Sequence, residues 1–338
     1  MSAPHFHSSP GLVRLVVATT VVVLIAGACG NSLSIRGHSA GGQIRSCSVS
    51  TTSASTVTIS LSADINNELT AQVCIAGQGP FHLLVDTGAS ATALDSSVTS
   101  RLHLAKAGPP QQFFGVGRPL EGQPVKVSRW NLGGLRLAPQ IVYSEHLGLS
   151  PHVDGLLGSD VLSRFGAIRL DYDQAQLIVA RSEGPALSKQ VIQGDAGHRL
   201  PAAFARYQPQ AILPLTVVDF DGAAVATATV NVGPRTLLFE IDSGSTRSAI
   251  ATSEAAGLGL TPEPGQVQVE GVGGSANATL ERFSAWSLGS VRLVPEDLIS
   301  VGLPGLDGLL GADVLSQFRA VTIDYTDATL AIDQIPVL

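Results

Sequence analysis

The chain has 338 residues, 44% of them apolar and only 14% charged, which is enough to bury two cores. A net charge of −7 and the lack of any Lys/Arg cluster argue against a nucleic-acid surface. With 36 Gly and 19 Pro bounding short runs rich in Val, Ile, Leu and Thr, the composition favours many short strands over long helices.

At the N-terminus, Arg14 precedes an apolar run from Leu15 to Ala28. The run is short for a membrane span and about right for the core of a signal peptide. It ends in Ile25-Ala26-Gly27-Ala28-Cys29-Gly30, which looks like a bacterial lipoprotein signal with Cys29 as the lipidated residue, although Ala26 stands where Leu is usual. Three readings stay open: a lipoprotein signal, an ordinary cleaved signal and an uncleaved anchor. Each exports the rest of the chain, so the expected location is the cell envelope or, for a plain signal, the medium. Residues 1–29 are thus expected to form the signal segment. Residues 30–55, rich in Ser, Gly and Thr, are expected to be a flexible tether reaching roughly 25–30 Å as a random coil. An oxidising compartment would let Cys47 and Cys74 pair. The favoured reading makes Cys74 a small core residue instead, mid-strand at the position of Val230 in a second copy of the same pattern.

The first copy occupies 56–180. Val73–Ile75, Leu83–Val85, Val125–Val127, Leu135–Leu137 and Leu177–Val179 read as strands, and Ser96 to Leu102 as a short helix. A pattern-poor stretch, 181–210, reads as the linker, and the second copy occupies 211–338 with a matching short helix from Thr252 to Leu258. The copies align by subtraction: Asp86 to Asp242 is 156 positions, as are Leu102 to Leu258, Gly117 to Gly273 and Trp130 to Trp286. Asp154-Gly155-Leu156-Leu157-Gly158 then maps onto Asp307-Gly308-Leu309-Leu310-Gly311 at 153, so one three-residue difference lies between Leu137 and Asp154. So long a period marks two copies of a whole lobe rather than a solenoid.

The chemistry sits in Leu84-Val85-Asp86-Thr87-Gly88-Ala89 and Glu240-Ile241-Asp242-Ser243-Gly244-Ser245. One Asp-Thr-Gly alone is usually a turn. Two intact copies at equivalent positions supply twin carboxyls. Two carboxyls in contact cannot both ionise, so they share a proton, and such a pair can activate water while protonating a carbonyl oxygen. Gly88 and Gly244 would let the loops approach closely. The hydroxyls of Thr87 and Ser243 can bond to the backbone of the opposite loop, and apolar lead-ins (Leu83 to Val85; Phe239 and Ile241) would place each Asp at the end of a buried strand. The hydroxyl of Ser245, matched by Ala89 in the first copy, is expected to donate to Asp242. Asp242 would then be the ionised member and Asp86 the proton holder.

On these motifs the chain resembles the aspartic protease superfamily, with two retropepsin-like lobes in tandem in a pepsin-like single chain. The resemblance rests on Asp86-Thr87-Gly88-Ala89 and the Gly-Leu-Leu-Gly-(Ser/Ala)-Asp-Val-Leu-Ser-x-Phe blocks at 155–165 and 308–318. The Arg169-Leu170-Asp171-Tyr172 and Thr322-Ile323-Asp324-Tyr325 ends resemble bacterial members. It implies an all-β fold of two homologous β-barrel lobes with the active site between them, formed within a monomer. It also implies protein or peptide substrates, no cofactor and no metal. Asp86 and Asp242 are the catalytic candidates, supported by Thr87, Gly88, Ser243, Gly244 and Ser245.

Gly115-Val116-Gly117 and Gly271-Val272-Gly273-Gly274 lack the spacing and following helix of nucleotide loops. In this family that interval holds a flap over the cleft, which makes Phe113, Phe114, Gly117 and Gly273 flap or substrate-binding candidates. Asp160, Asp313, Asp171 and Asp324 read as structural loop or cap carboxylates, and Trp130 and Trp286 as core. The sequence has no His-Glu-x-x-His, Cys-x-x-Cys or Gly-x-Ser-x-Gly. The enzyme reading is an exported, membrane-tethered endopeptidase. The alternatives are a silent cell-envelope peptide-binding module of the same fold and a protease confined to processing itself.

Overall fold

Period-2 alternation of apolar residues is visible directly in the burial of the strands: Leu69–Ile75 buries Leu69, Ala71, Val73 and Ile75 and turns Gln72 outward. The computed structural model describes Cys47 and residues 54–115, 119–149, 152–181, 183–184, 191–195, 197, 199–220 and 223–336. All five strands expected from the sequence fall within observed strands, and the two short helices are observed as Ser96–Arg101, with Leu102 its C-cap, and Thr252–Leu258. The fold is all-β and bilobal.

In each lobe a hairpin leads into the Asp-bearing strand: Leu69–Ile75 pairs with Gln78–Val85, and Ala223–Val232 with Arg235–Ile241. The Leu-Leu-Gly strands then lie parallel to the ends of those strands, Leu156 beside Leu84 and Leu309 beside Glu240. They hold each Asp loop from one side, with the Asp86 N–H bonded to Leu157 and the Asp242 N–H to Leu310. The three-residue length difference falls in the loop that follows Glu145 in the first lobe and Val301 in the second, since Asp154 and Asp307 resume the match.

The lobes join through one antiparallel sheet, in the order Thr56–Ala63, Gln176–Ala180, Ala167–Asp171, Ala320–Asp324, Thr329–Ile332 and Ala211–Phe220. Its central pair crosses between lobes, Ile168 opposite Ile323 and Arg169 opposite Thr322. Buried Arg169 bonds both oxygens of Asp333 and stacks 4.0 Å from the centre of the Tyr207 ring. Tyr207 belongs to the pattern-poor 181–210 stretch. There Val191–Gln193 adds a strand edge to Ala211–Phe220, and Phe204 is buried against Ala167 and Ile178. This segment packs on both the joining sheet and the second lobe.

Trp130 and Trp286 are buried in the main core, and each indole N–H donates to an equivalent carbonyl, Ala138 and Val294. Cys74 is not a core residue. It is half-buried and bonded to Cys47 in a disulfide. The Gly79-Pro80 bulge, after which the register shifts, adds one residue to the first lobe's hairpin. Upstream of it the true offset is therefore 157. Val73 takes the place of Val230, both opposite a buried Leu, while Cys74 takes that of Asn231 on the outer face. A one-residue slip reverses the face of every side chain in a strand. Among the described residues no helix is long and apolar enough to cross a membrane. Leu15–Ala28 and Cys29 lie outside the described residues.

Candidate active site

Both Asp loops sit at the ends of buried strands and face each other across the lobe interface. The two carboxyls are electrostatically coupled, Asp86 raising Asp242. Each loop curls its backbone around its own carboxyl: the N–H groups of Gly88 and Ala89 donate to Asp86 Oδ1 at 3.1 and 2.8 Å, and those of Gly244 and Ser245 to Asp242 Oδ1 at 3.0 and 3.1 Å. Both inner oxygens are thus held by the same pair of amides. The outer Asp242 Oδ2 is buried and takes no such donor.

The contacts are reciprocal. A Cβ added to Gly88 would lie 2.5 Å from Asp242 Cγ, and one added to Gly244 would lie 2.3 Å from Asp86 Cγ. Each glycine is the floor on which the other lobe's carboxyl rests. The hydroxyls cross as expected: Thr87 Oγ1 donates to the Ile241 carbonyl at 2.6 Å and Ser243 Oγ to the Val85 carbonyl at 2.7 Å. Each also accepts the other's backbone N–H, at 3.0 and 3.2 Å. Four bonds with buried ends therefore fix one loop to the other.

A second tier braces the loops from behind. Asp160 accepts from the N–H and hydroxyl of Thr92, and Asp313 from those of Ser248. Thr92 and Ser248 in turn accept the N–H of Gly158 and Gly311. The recurring Asp160 and Asp313 are structural, and their burial raises both carboxyls above the ordinary range. Asp171 caps the turn at Gln174, and Asp324 those at Thr326 and Asp327.

Ser245 supports the pair through its backbone N–H, while its hydroxyl donates to the Arg247 carbonyl at 2.7 Å. Burial first, then the charge of Asp86 and that of Glu240, push Asp242 well above the usual carboxylate range, as expected for two buried acids that share one proton. Sequence reasoning missed Glu240, which interrupts the apolar lead-in. It is 1% exposed, and burial followed by the Asp86 charge raises it strongly too.

Two hairpins close over the site. Phe113 and Phe114 end the Gln111–Phe114 strand, which pairs with Pro119–Val127, and Phe113 turns inward edge-on to Tyr143 with ring centres 4.4 Å apart. In the second lobe Val267–Gly271 pairs with Gly274–Phe283, with Gly273 in the turn at φ +107°. The tip of this second hairpin reaches the first lobe, where Val272 packs with Ala89, Leu84 and Leu156. A Cβ on Gly115 would lie 1.9 Å from the Val272 carbonyl oxygen, so the two hairpins touch backbone to side-chain position. Gly117 lies outside the described residues. Beneath this cover both Asp86 and Asp242 are 0% exposed. Among the described residues no group of three His, Cys, Asp or Glu could hold a metal ion.

Twin Asp loops on duplicated lobes, crossed by Thr87 and Ser243, define the aspartic protease class of fold. A sequence model of the aspartyl protease family matches residues 71–161 and 226–314, more than half of the chain, and the chain belongs to that family. No curated protein matches it. Among solved structures it is similar to edgp, at 10% identity over 83% of this chain and 95% of that one with a TM-score of 0.39. Basic 7S globulin from soybean aligns at 10% identity over the same shares, with a TM-score of 0.38. A retropepsin-like aspartic protease from Rickettsia conorii aligns at 19% identity over 37% of this chain and 89% of that one, with a TM-score of 0.27.

Proposed function

We propose that the chain is an aspartic endopeptidase whose single site is built within one molecule. A water held between Asp86 and Asp242 would lose a proton to the ionised carboxyl as it attacks the peptide carbonyl. The protonated carboxyl would give its proton to the carbonyl oxygen. Collapse of the tetrahedral intermediate then protonates the leaving nitrogen and restores the shared proton. The observation that carries this reading is the reciprocal seating of each carboxyl on the other lobe's glycine. It holds the two acids together at zero exposure, at a desolvation cost that only a shared proton relieves.

A substrate would lie extended beneath the hairpins and bond their strand edges through its main chain. Because both carboxyls are covered, the hairpins must part before it binds. A peptide-binding module could share that cover. The intact Asp and Gly in both lobes favour the enzyme. Export, with a lipid tether at Cys29, belongs to the same proposal: it rests on Arg14 and the Leu15–Ala28 run, and the Cys47–Cys74 disulfide supports an oxidising compartment.

Incubating the exported region with a diverse peptide pool, with and without a statine-type transition-state mimic, tests the activity. Cleavage blocked by the mimic is the expected result; an uncut pool would retire it. For the tether, Cys29→Ala should move the protein out of the detergent phase.

A further inference from the structure

The two Asp-bearing strands are equivalent residue by residue, and they differ at the position two before the Asp. Leu84 is flanked by Thr70 and Leu156, and Glu240 by Thr227 and Leu309. Alternation along a strand places each on the same face as its Asp. In the first lobe that face is apolar, with Leu84 packed on Leu156, Ala89 and the hairpin residue Val272. In the second lobe Leu309 packs with Val269 and Ala278 of the overlying hairpin, and Glu240 stands where the leucine would be. Its Oε2 is buried and makes no hydrogen bond. A carboxyl oxygen left unpaired in an apolar wall costs free energy, and the sister lobe shows that leucine fits the place.

Resting on the endopeptidase reading, we propose that Glu240 makes the second lobe's cleft wall a recognition site for a basic substrate side chain, lysine or arginine, next to the scissile bond. The stem of such a side chain would lie along Leu309 while its cation meets Oε2. Among the described residues the groups electrostatically coupled to Glu240 are Asp86, Asp242 and Tyr325, none of them a cation. Burial, followed by the Asp86 charge, raises this carboxyl, and a cation facing it would act in the opposite direction.

The test uses peptides that differ only in Lys, Arg or Leu at each residue flanking the scissile bond, alongside the same peptides with a reduced, uncleavable bond. In the wild type, Lys or Arg at one flanking position should be favoured roughly 10- to 100-fold over Leu, both in kcat/KM and in Kd for the uncleavable series. Glu240→Leu, which copies the first lobe, should reverse that order, and Glu240→Gln should flatten it. Thermal melting checks that both variants are folded. Cleavage with no basic preference, or a preference that survives Glu240→Leu, overturns the proposal and leaves the endopeptidase reading standing. If nothing is cleaved yet the uncleavable Lys peptide binds better and loses its advantage in Glu240→Leu, the recognition site stands and the endopeptidase reading falls. If nothing is cleaved and the uncleavable series shows no discrimination either, both readings fall.

Discussion

Gly88 and Asp242 touch across the lobes: the space for a Cβ on Gly88 is already filled by the Asp242 carboxyl, 2.5 Å from its Cγ. The mirror contact joins Gly244 and Asp86 at 2.3 Å. Gly88→Ala should therefore displace the acid of the other lobe rather than its own. A shift of about 1 Å in a reacting group costs on the order of 10²-fold in rate. Each variant, Gly88→Ala and Gly244→Ala, is expected to lower kcat by at least about that much, and the double variant by little more than either. Wild-type kcat in Gly88→Ala would contradict the contact.

The crossed hydroxyls should behave as a unit. Thr87→Val removes the bond to the Ile241 carbonyl and the acceptor of the Ser243 N–H, both buried. Leaving such groups unpaired costs roughly 1–3 kcal/mol. Urea unfolding should show a loss of that order, and Thr87→Ser should recover most of it. Equal losses in Thr87→Val and Thr87→Ser would show that the hydroxyl is not the cause.

Stability should fall as pH rises. Burial, helped by Asp64 and Asp86, raises Glu68 to about 7, and burial raises Glu145 to about 7. Glu240 and Asp242 are also raised well above the ordinary range. Between the ordinary carboxylate range and these values the folded chain binds more protons than the unfolded chain. The stabilising contribution is therefore complete below about pH 4.5 and is lost as pH climbs through 7. The melting temperature should be higher at pH 4.5 than at pH 7.5, and Glu240→Leu should reduce the difference. A curve that rises across that window would contradict the assignment.

On the proposed function the contact between the hairpins would gate the site, and it can be loosened. Since both acids are 0% exposed, inhibitor association must wait for the hairpins to part and should be slower than a typical docking rate of about 10⁵–10⁷ M⁻¹s⁻¹. Gly115→Ala puts a methyl 1.9 Å from the Val272 carbonyl oxygen and should hold the hairpins apart. Stopped-flow binding of a statine-type peptide should then show a faster on-rate and a faster off-rate. Unchanged rates would mean that the contact does not control access.

How much of this the sequence carried depends on whether a pattern repeats. Asp86, Asp242, their glycines and the crossed hydroxyls were legible because each has a twin whose chemistry requires a partner. The hairpins were legible from Gly-rich turns at matching places. Cys74 was misplaced because one extra residue at Gly79-Pro80 moves the frame by one and turns the strand over, which no apolar pattern reveals. The bond from the Ser245 hydroxyl to the Arg247 carbonyl was not legible, because loop geometry alone brings that carbonyl within reach. The packing of Phe204 and Tyr207 depends on the joining sheet, which exists only once both lobes are assembled. Glu240 escaped notice because it breaks an apolar run instead of repeating one.

The most direct measurement is kcat/KM on one cleavable peptide for wild type, Asp86→Asn, Asp242→Asn and the double variant, each with its melting curve. If one proton shared between two carboxyls does the chemistry, each single variant should lose at least about 10⁴-fold while staying folded, and the double variant should lose no more. A single variant that keeps near-full turnover would contradict the shared site.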